Sequence, residues 1–467
     1  MNAAVIQDVD CAVIGAGISG LSAGYWLARR GISVEVIEAA ARPGGVIGTE
    51  CAGGLLYERG PNSILDTNPH IARLLENVGV LDRRIEASAV SAKRFVVRSG
   101  KLVALPTSLA AFLTTRLFSS RAKLALLREP FVAPAPTELD EAVADFVVRR
   151  LGHEFLNYAI EPFVAGIYAG NAEQLSLRAA FPKLHALEQR YGSLIKGQIY
   201  GARERARRIE KPRSVAASFS FRDGMQTLTD ALAGALPRLR CNVRATGLQR
   251  SEDGRLLVSI QGGTQIERHR CRTVVLAVPA YSAARLLRES VPDPAAALDA
   301  IPYAAVATVA SAYRRCAIEH PLDGFGFLAP RVEKRNILGT LFSSSMFSGR
   351  APQDAVLLTT YVGGQRAPDL VSLPDDELTR LVHEELAALL GIREAPFFSS
   401  TNRWRHAIPQ YTLGHAERIR RAERAELDLP GLFLCASYRG GVSVGDCISS
   451  GARIADAVER FLGRAAS

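Results

Sequence analysis

A glycine-patterned turn near the start of the chain constrains its fold more than any other feature. Residues 9–31 pass from an apolar run to a Gly-x-Gly-x-x-Gly turn, formed by Gly15, Gly17 and Gly20, and then to an alanine-rich helical pattern. In this motif the glycines permit, in order, a tight turn, close approach of the backbone to a pyrophosphate, and close packing of helix on strand. The pyrophosphate lies against free N–H groups at the helix N-terminus. The pattern therefore predicts a Rossmann-like dinucleotide-binding unit over residues 9–60.

A second phosphate-binding element follows the next predicted strand. That strand ends in Glu38, which is placed to accept hydrogen bonds from ribose hydroxyls. Arg42 and the pair Gly44-Gly45 then offer a cation and bare backbone N–H groups to the same diphosphate. NAD dehydrogenases usually lack this second clamp, so the pattern favours FAD, and the N-terminus looks like the flavin-binding signature of amine-oxidase-like flavoproteins. The residues predicted here to bind FAD are Gly15, Gly17, Ile18, Ser19, Gly20, Glu38, Ala39, Arg42, Gly44 and Gly45.

The composition indicates a large globular protein. Its 467 residues suffice for two or three domains, and 48% hydrophobic with 22% charged residues excludes a disordered chain. Part of the net charge of +10 lies in the run 203–213, where Lys and Arg outnumber Glu. This run is either a solvated helix face or a surface that attracts anionic lipid or an acidic ligand. No nucleic-acid-binding motif accompanies it, so nucleic acid is not an expected partner.

The cysteines and histidines indicate no metal site. The seven cysteines are odd in number and widely spaced without a Cys-x-x-Cys pair, and none of the eight histidines stands at a metal-ligand spacing. We therefore expect neither a metal nor a disulfide framework, which suits a reducing compartment. A run of uncharged apolar residues long enough to span a membrane is also missing from the sequence.

The remaining pattern predicts a fold assembled from separated pieces of chain. Residues 94–106 read as a β-hairpin, and residues 107–200 are helical almost throughout, with Thr137 as an N-cap. Within this part, residues 107–135 are apolar with interspersed Arg and Lys, so they form either a buried helix pair or an amphipathic surface that dips into a bilayer. A three-stranded meander over residues 241–280 and a strand near the C-terminus return to the first sheet, which makes the dinucleotide fold discontinuous.

Three further stretches carry a resemblance to a known family. They cover residues 161–197, 336–352 and 406–456, and together with the N-terminus they resemble the oxygen-dependent protoporphyrinogen oxidases of haem synthesis over nearly the whole chain. The resemblance implies an α/β + α fold with a discontinuous Rossmann-like FAD-binding domain, a β-sheet substrate domain and a helical membrane-facing domain. The implied boundaries are 1–92, 206–290 and 406–467 for the FAD-binding domain, 93–205 for the helical membrane-binding and substrate-channel domain, and 291–405 for the substrate domain.

The activity implied by the resemblance is a six-electron oxidation. Protoporphyrinogen IX would become protoporphyrin IX in three two-electron steps, with FAD as cofactor, O2 as acceptor and hydrogen peroxide as by-product. Because this chemistry belongs mainly to the flavin, we expect no catalytic side chain, and the sequence shows no Ser/His/Asp set or paired carboxylates. The resemblance further implies a cytoplasmic protein held peripherally at the inner face of the cell membrane. Its candidate partners are the membrane surface, ferrochelatase and a second copy of the chain.

The resemblance places four residues at the porphyrinogen. Arg94 would meet a propionate, to which a guanidinium is suited as a bidentate partner, and Gly166 would bring backbone beside the macrocycle. Leu328 would form an apolar wall, and Phe347 would stack near a pyrrole ring. Ordinary core packing is the alternative for Leu328 and Phe347, and an exposed strand position is the alternative for Arg94.

The last block would place a turn before the final helix at the flavin N1–C2=O edge. The helix N-terminus would there stabilise an anionic reduced flavin. The chain departs from the family at two places, because Ala436-Ser437 stand where many relatives have Gly-Asn, and Asn62 stands where some have arginine. It is therefore open which residue binds a second carboxylate of the substrate, and the run 203–213 is one candidate. The further FAD contacts implied are Gly60, Pro61, Asn62, Val243, Trp404, Val442 and Val444.

Three other functions compete with this hypothesis. A coproporphyrinogen III oxidase would use the same mechanism on four carboxylates, and more cations around the cavity would favour it. An amine or polyamine oxidase shares the fold, but neither Cys435 nor Cys447 matches the position used for covalent flavin attachment. A non-catalytic FAD-binding protein would bind the cofactor without turning over a porphyrinogen.

Overall fold

The computed structural model describes residues 6–200 and 217–464, so the basic run 203–213 lies outside the described residues. The strands are β1 Ile6–Ile14, β2 Val34–Ile37, β3 Thr49–Ala52, β4 Leu55–Glu58, β5 Ile64–Leu65, β6 Arg84–Glu86, β7 Phe95–Arg98, β8 Lys101–Ala104, β9 Ser218–Phe221, β10 Leu239–Arg240, β11 Arg244–Arg250, β12 Leu256–Gly262, β13 Gln265–Leu276, β14 Tyr303–Arg314, β15 Gly326–Leu328, β16 Gly339–Leu341, β17 Ala355–Gly363, β18 Phe398–Pro409 and β19 Leu432–Leu434.

Helices surround these strands. The α-helices are α1 Ile18–Arg29, α2 Pro69–Asn77, α3 Leu109–Thr114, α4 Ser120–Ala125, α5 Val143–Leu151, α6 His153–Phe155, α7 Glu161–Tyr168, α8 Leu177–Ala180, α9 Pro182–Tyr191, α10 Leu194–Tyr200, α11 Gln226–Gly234, α12 Ala280–Leu287, α13 Pro292–Asp299, α14 Ser343–Met346, α15 Asp375–Leu390, α16 His415–Asp428 and α17 Val444–Arg464. Short 3-10 helices cover Leu81–Arg83, Ala89–Ala92, Leu126–Phe131, Arg315–Ala317, Arg331–Glu333 and Pro368–Ser372, and a π-helical turn covers Leu156–Ile160.

The first sheet is built from separated parts of the chain. β1 pairs in parallel with β2 and with β13, and β13 pairs in parallel with β19 near the C-terminus. Apolar side chains of these strands pack into two clusters, one on each face, together with helices such as α1 and α17 on one side and α12 and α13 on the other. Burial on both faces explains why the strands read as continuous apolar runs. The predicted discontinuous arrangement of this sheet is confirmed.

The predicted meander joins this sheet through one long strand. β11, β12 and β13 pair antiparallel in sequence order. The first half of β13 pairs with β12, and the strand continues into the parallel pairing with β1. The meander therefore extends the dinucleotide-binding sheet at one side.

The second sheet carries the β-rich middle of the chain and the predicted hairpin. Its strand order is β18-β14-β17-β16-β15-β7-β8. The hairpin turn residues Ser99 and Gly100 have φ of 53° and 72°, as a two-residue turn with positive φ at both positions requires. β7 pairs in parallel with β15, so Arg94, which immediately precedes β7, lies beside the strand that carries Leu328.

The helices from α3 to α10 enclose an apolar cluster of their own. Rings of Phe118 and Phe155 stack there with centroids 4.3 Å apart. A buried ion network fixes the segment Leu126–Phe131 to these helices, because Arg150 pairs with Glu129 at 2.9 Å and with Glu188 at 2.6 Å. Further hydrogen bonds to Glu129 from backbone N–H groups help to compensate its desolvation.

The segment 107–135 is not a buried helix pair. Its helices are short, and five of its large apolar side chains are between 62% and 87% exposed: Leu109, Leu113, Leu124, Leu127 and Phe131. The amphipathic alternative matches this pattern, while contact with a bilayer stays a prediction. Among residues 6–200 and 217–464, no helix has the length and apolar character needed to cross a membrane.

The prediction of Thr137 as an N-cap is wrong. Its hydroxyl donates to Gln189 Oε1 at 2.7 Å, and α5 begins only at Val143. The residue before that helix, Ala142, instead forms a β-bridge with Ser176. A long-range contact therefore displaced a local capping preference.

Candidate active site

The glycine turn forms an open cradle at the N-terminus of α1. Gly15 has φ of 103°, and an added Cβ would lie 2.6 Å from the Ala277 oxygen. At Gly20 an added Cβ would lie 1.9 Å from the Gly15 oxygen, so only glycine lets the helix pack on the turn. At Gly17 an added Cβ would meet no atom within 4 Å, which leaves space over the turn. Because the first-turn N–H groups of a helix have no intrahelical acceptors, this cradle fits a pyrophosphate.

Glu38 lies at the edge of the cradle with its carboxylate fixed by backbone. Its Oε2 accepts a hydrogen bond from the Ala16 N–H at 2.7 Å, and its Oε1 accepts one from the Ala40 N–H at 2.8 Å. Each oxygen keeps a further acceptor site that a ribose hydroxyl can use. The Val243 N–H donates to the Glu38 carbonyl at 2.9 Å, so the structure brings these two predicted FAD residues together.

The loop after Glu38 packs directly on the glycine turn. The Gly44 N–H donates to the Ala16 carbonyl at 2.7 Å. The Arg42 guanidinium donates to the Ile47 carbonyl at 2.8 Å and to the Gly45 carbonyl at 3.3 Å. Arg42 therefore maintains the shape of this loop, and its contact with a diphosphate stays a prediction.

The segment after β4 connects the cradle to the second sheet. An added Cβ at Gly60 would lie 2.2 Å from a backbone oxygen of the neighbouring loop. The Asn62 amide donates to the Tyr361 hydroxyl at 2.9 Å, and the Trp404 indole donates to the Arg59 carbonyl at 2.8 Å. Gly60, Asn62 and Trp404 thus belong to one junction between the two sheets, with Pro61 in its backbone.

The turn before α17 is capped and lies between two apolar clusters. The Ser443 hydroxyl accepts a hydrogen bond from the Asp446 N–H at 3.1 Å, and the Asp446 carboxylate accepts one from the Ser443 N–H at 3.3 Å, as in a capping box. Val444 is buried in the cluster around α1, whereas Val442 packs against the cluster of the helices α3–α10. Val442 and Val444, which are predicted to lie near the flavin, are therefore at the junction of these clusters.

Tyr411 holds this turn in place. Its hydroxyl donates to the Ser437 carbonyl at 2.6 Å and accepts from the Gly441 N–H at 3.1 Å. Its ring is buried and stacks on His415 with centroids 4.2 Å apart. His415 in turn lies 3.0 Å from the Tyr438 carbonyl through Nε2. Both ends of the predicted flavin-facing turn are thereby tied to one side chain.

Arg94 presents a guanidinium without an acidic partner. Within the described part of the chain, no hydrogen bond or ion pair joins its side chain to another residue. The residue is exposed at the surface, its guanidinium lies 5.0 Å from the centroid of the Phe325 ring, and partial desolvation lowers the pKa of Arg94. A cation held against an aromatic ring with its donors unused is suited to an incoming carboxylate.

Gly166 and Leu328 meet on the same face of the second sheet as Arg94. Leu328 pairs with Val96 in the parallel β7–β15 ladder, and residues opposite each other in a ladder point to the same face. An added Cβ at Gly166 would lie 3.0 Å from Leu328 Cδ2. We call Arg94, Gly166 and Leu328, which are predicted to contact the porphyrinogen, the substrate face, and it turns toward the helices because Val96 packs in their cluster.

Phe347 lies outside the strands that carry the substrate face. It follows α14, is 2% exposed, and has the Arg350 guanidinium 5.6 Å from its ring centroid. Arg350 itself donates to the Ser220 hydroxyl at 2.7 Å. This setting is compatible with core packing, and a contact with a pyrrole ring stays a prediction.

Glu58 is a buried carboxyl between the cradle and the second sheet. Its Oε1 accepts from the Met225 N–H at 2.9 Å, and its Oε2 accepts from the Thr49 hydroxyl at 2.7 Å. Arg350 lies 3.7 Å away. Desolvation outweighs these favourable contacts and raises the pKa of Glu58 to about 7, so this carboxyl titrates near neutrality.

The cysteines near the last turn are poor nucleophiles. Cys435 and Cys447 are buried, and desolvation raises the pKa of Cys435 to about 12 and that of Cys447 to about 11. The thiolate is the reactive form of cysteine. Their chemistry therefore favours FAD that is held without a thioether bond.

Sequence reasoning missed Tyr411 and Glu58 as site residues. Tyr411 acts on a turn 26 residues later in the chain, and such a contact leaves no local pattern. Glu58 stands two residues before Gly60, the first of the expected FAD contacts in this segment, but only the structure shows that its carboxyl is buried. The only signal in the sequence was an acidic residue at the end of a short strand.

The fold and cradle define an FAD-dependent oxidoreductase. A family profile described as flavin-containing amine oxidoreductase matches residues 18–459. The chain belongs to this family, which confirms the flavoprotein assignment and FAD as the cofactor.

Two curated relatives resemble the chain over nearly its whole length. The chain is 32% identical to "Protoporphyrinogen oxidase 2, chloroplastic/mitochondrial" of Arabidopsis thaliana, over 97% of this chain and 94% of the relative. It is 27% identical to "Coproporphyrinogen III oxidase" of Bacillus subtilis (strain 168), over 96% of this chain and 97% of the relative. The resemblance expected from the sequence is confirmed.

A crystal structure shares the fold. The protein, from Exiguobacterium sp. 255-15, is assigned provisionally as a protoporphyrinogen oxidase. It superposes with a TM-score of 0.80 at 25% identity, over 97% of this chain and 98% of that chain.

Proposed function

We propose that the protein oxidises protoporphyrinogen IX to protoporphyrin IX in an FAD-dependent, six-electron reaction, with O2 as acceptor and hydrogen peroxide as by-product. The observation that carries the proposal is the substrate face. An unpaired, partly desolvated Arg94 stands there beside an open apolar surface formed by Leu328 and the bare backbone at Gly166. A flat apolar macrocycle with propionates has matching chemistry.

In this proposal, some residues position the cofactor and the substrate, and others exclude water. The chemistry that FAD supplies when bound is acceptance of a hydride equivalent in each of three steps and return of both electrons to O2. Glu38 and the glycine cradle bind the dinucleotide, and the cap at Ser443 directs a helix N-terminus at the turn predicted to face the flavin. Arg94 orients the substrate through a propionate. Leu328 contacts the apolar face of the macrocycle and keeps water away from it.

A side-by-side assay tests the proposal. Protoporphyrinogen IX and coproporphyrinogen III are offered to the purified holoenzyme under air, and porphyrin fluorescence is recorded with hydrogen peroxide release. We expect higher kcat/KM for protoporphyrinogen IX and one peroxide per two electrons. Preference for coproporphyrinogen III would transfer the assignment to that substrate, and activity on amines with neither porphyrinogen would refute both.

We further propose that the segment 107–135 attaches the protein to a membrane surface. Its five exposed apolar side chains lie among Arg116, Arg121 and Arg128, which are exposed as well. This combination is typical of a surface that lies in the interface of an anionic bilayer. The location we infer is cytoplasmic, at the inner face of the cell membrane, where ferrochelatase or a second copy of the chain could be met.

Liposome flotation at low salt tests the attachment. The triple variant Leu113→Ser/Leu127→Ser/Phe131→Ser should lose binding to anionic vesicles. A matched control, Ile266→Ser/Phe397→Ser/Leu427→Ser, removes three exposed apolar side chains elsewhere and should bind as the unmodified protein does. Equal flotation of both variants, or no flotation of the unmodified protein, would contradict the proposal.

A further inference from the structure

A cationic pocket lies on the outside of the first sheet, where the C-terminal end of α1 meets α2 and α17. It has a volume of about 210 Å³ and is lined by residues that include Trp26, Arg29, Arg30, Arg73 and Asp456. The helix α1 has 12 residues and begins at the glycine cradle, so this pocket is roughly 18 Å along the helix axis from the cofactor turn. No function assigned above uses it.

The charges of the pocket are not balanced. Arg30 is paired, since it contacts Asp456 and lies 3.5 Å from Glu459. Arg29 and Arg73 have no acidic partner among the residues that the structure describes. The Arg73 guanidinium is instead held 5.1 Å from the centroid of the Trp26 ring. Arg29 and Arg73 therefore line the pocket without an ion-pair partner, while the carboxylate in the lining, Asp456, pairs with Arg30, and His70 and Asn77 complete the polar lining.

Two buried donors beneath these cations also lack acceptors. Trp26 is 7% exposed, and its indole Nε1–H has no hydrogen-bond partner in the described residues. The same is true of Arg30 Nη1. Buried donors are normally paired in folded proteins, and where the protein offers no acceptor the partner is an ordered water or a bound group.

We infer that this pocket binds a phosphate-type oxyanion. The buried atoms without partners, Trp26 Nε1 and Arg30 Nη1, are both donors, and Arg29 and Arg73 add positive charge, so a ligand with acceptors and negative charge matches the pocket better than a cation or an apolar molecule. Guanidinium forks match the oxygens of a phosphoryl group, and Arg73 is already oriented by the indole ring. The bound anion links α1 to α2 and stabilises the side of the FAD-binding sheet opposite to the cradle end of α1.

Phosphate titration of the holoenzyme tests the inference. Thermal unfolding and isothermal calorimetry are recorded with inorganic phosphate at constant ionic strength, with chloride as the reference salt. We expect a saturable, phosphate-specific rise in Tm, as binding to the folded state requires. The double variant Arg29→Gln/Arg73→Gln should weaken phosphate binding about ten- to a hundredfold, which is the usual range for lost charge-assisted hydrogen bonds.

A matched double variant separates a site from general charge effects. Arg250→Gln/Arg314→Gln removes the same charge from two exposed arginines outside the pocket and should bind phosphate as the unmodified protein does. The run 203–213 stays intact in both variants. Arg73→Lys keeps the charge without the fork, should retain FAD, and should bind phosphate with intermediate affinity, which guards against a folding defect. Equal weakening in both double variants, or no phosphate-specific effect in the unmodified protein, would overturn the inference.

Discussion

The FAD cradle and the substrate face are built in opposite ways. The cradle is continuous in sequence and is shaped by backbone, because added Cβ atoms at Gly15 and Gly20 would collide with backbone oxygens. The substrate face consists of Arg94, Gly166 and Leu328, which come from three distant stretches of chain and meet only through strand pairing and helix packing. One region therefore depends on the absence of side chains, and the other depends on their chemistry.

This difference separates two kinds of sensitivity to mutation. A site made of backbone tolerates little added volume, but it needs few specific functional groups. A site made of side chains loses affinity when a charge is removed and keeps its fold, since the cation is not part of the core.

Two alanine substitutions in the cradle should have distinct consequences. Gly20→Ala places a Cβ 1.9 Å from the Gly15 oxygen, so we expect a loss of stability of more than about 2 kcal/mol and no recoverable holoprotein. Gly17→Ala meets nothing within 4 Å and has a compatible φ of −71°. It should keep the stability of the apoprotein but lower FAD affinity at least about tenfold, because the Cβ occupies the space over the turn.

Urea unfolding of the apoproteins and flavin content after purification distinguish these outcomes. Gly79→Ala serves as a control for glycine loss, since an added Cβ there meets nothing within 4 Å, although its positive φ will cost some stability. If Gly17→Ala binds FAD normally, the cofactor does not approach the turn at this position, and FAD binding does not depend on the absence of a side chain there.

The cradle was predictable for the same reason that we expect it to be sensitive to mutation. Gly15, Gly17, Gly20 and Glu38 act through short-range geometry, and short-range geometry leaves a spacing in the sequence. The hairpin at Ser99-Gly100 was predictable in the same way, since positive φ at both positions restricts the choice of residues.

The parts that sequence could not give depend on distant contacts. Thr137 has the local chemistry of an N-cap, yet Gln189 takes its hydroxyl. Leu113 and Leu127 point outward, while Glu129 in the same segment is buried against Arg150 of α5, a contact between distant parts of the chain. No periodicity in residues 107–135 distinguishes that arrangement from a buried helix pair.

Glu58 lies between the two regions and should make stability depend on pH. Its pKa is raised from 4.5 to about 7 in the folded protein, so between these values the folded state binds a proton that the unfolded chain has released. Stability must then fall as pH rises through this window, by about 3 kcal/mol in total. Glu58→Gln should flatten this slope when unfolding free energy is measured from pH 4.5 to 7.5.

The quantity to compare is the slope of the unfolding free energy against pH, and not the unfolding free energy at one pH. Glu58→Gln also removes the charge that faces Arg350 at 3.7 Å, which shifts stability at every pH. Glu50→Gln, on the paired strand β3 and exposed, should leave the slope as it is in the unmodified protein. Parallel curves for the unmodified protein and Glu58→Gln would show that this carboxyl titrates in its ordinary range.

Arg94 tests the side-chain character of the substrate face. Arg94→Ala should raise KM for the porphyrinogen and lower kcat/KM about ten- to a hundredfold, as loss of a charged hydrogen bond of about 1.5–3 kcal/mol implies. The interaction is present in the ground state and the transition state alike, so kcat should fall much less. FAD content should not change, in contrast to the cradle variants.

Two further variants show whether the effect of Arg94→Ala depends on the guanidinium group of Arg94 itself. Arg94→Lys should recover part of the affinity, because a point charge does not reproduce the bidentate fork. Lys101→Ala, an exposed cation on the neighbouring strand β8, should have no effect on KM. An unchanged KM in Arg94→Ala would mean that the carboxylates of the substrate are held elsewhere, with the run 203–213 as the next candidate.

Tyr411 connects the two regions, and we expect its substitution to change activity less than the cradle and Arg94 variants do. Its ring belongs to the helical cluster beside the substrate face, and its hydroxyl fixes Ser437 and Gly441 on the turn predicted to face the flavin. Tyr411→Phe removes hydrogen bonds worth about 0.5–1.5 kcal/mol each, so we expect kcat to fall a few-fold with a shifted flavin absorbance spectrum, while KM and FAD content stay constant.

Tyr168→Phe is the matched control. The ring centroids of Tyr168 and Tyr411 are 5.6 Å apart, and the Tyr168 hydroxyl donates to the Ala180 carbonyl within the helices. A merely structural role would lower the stability of both variants and leave the flavin spectrum unchanged. If only Tyr411→Phe changes the spectrum, packing among the helices is coupled to the flavin environment through one hydroxyl, and the backbone-built and side-chain-built regions are not independent.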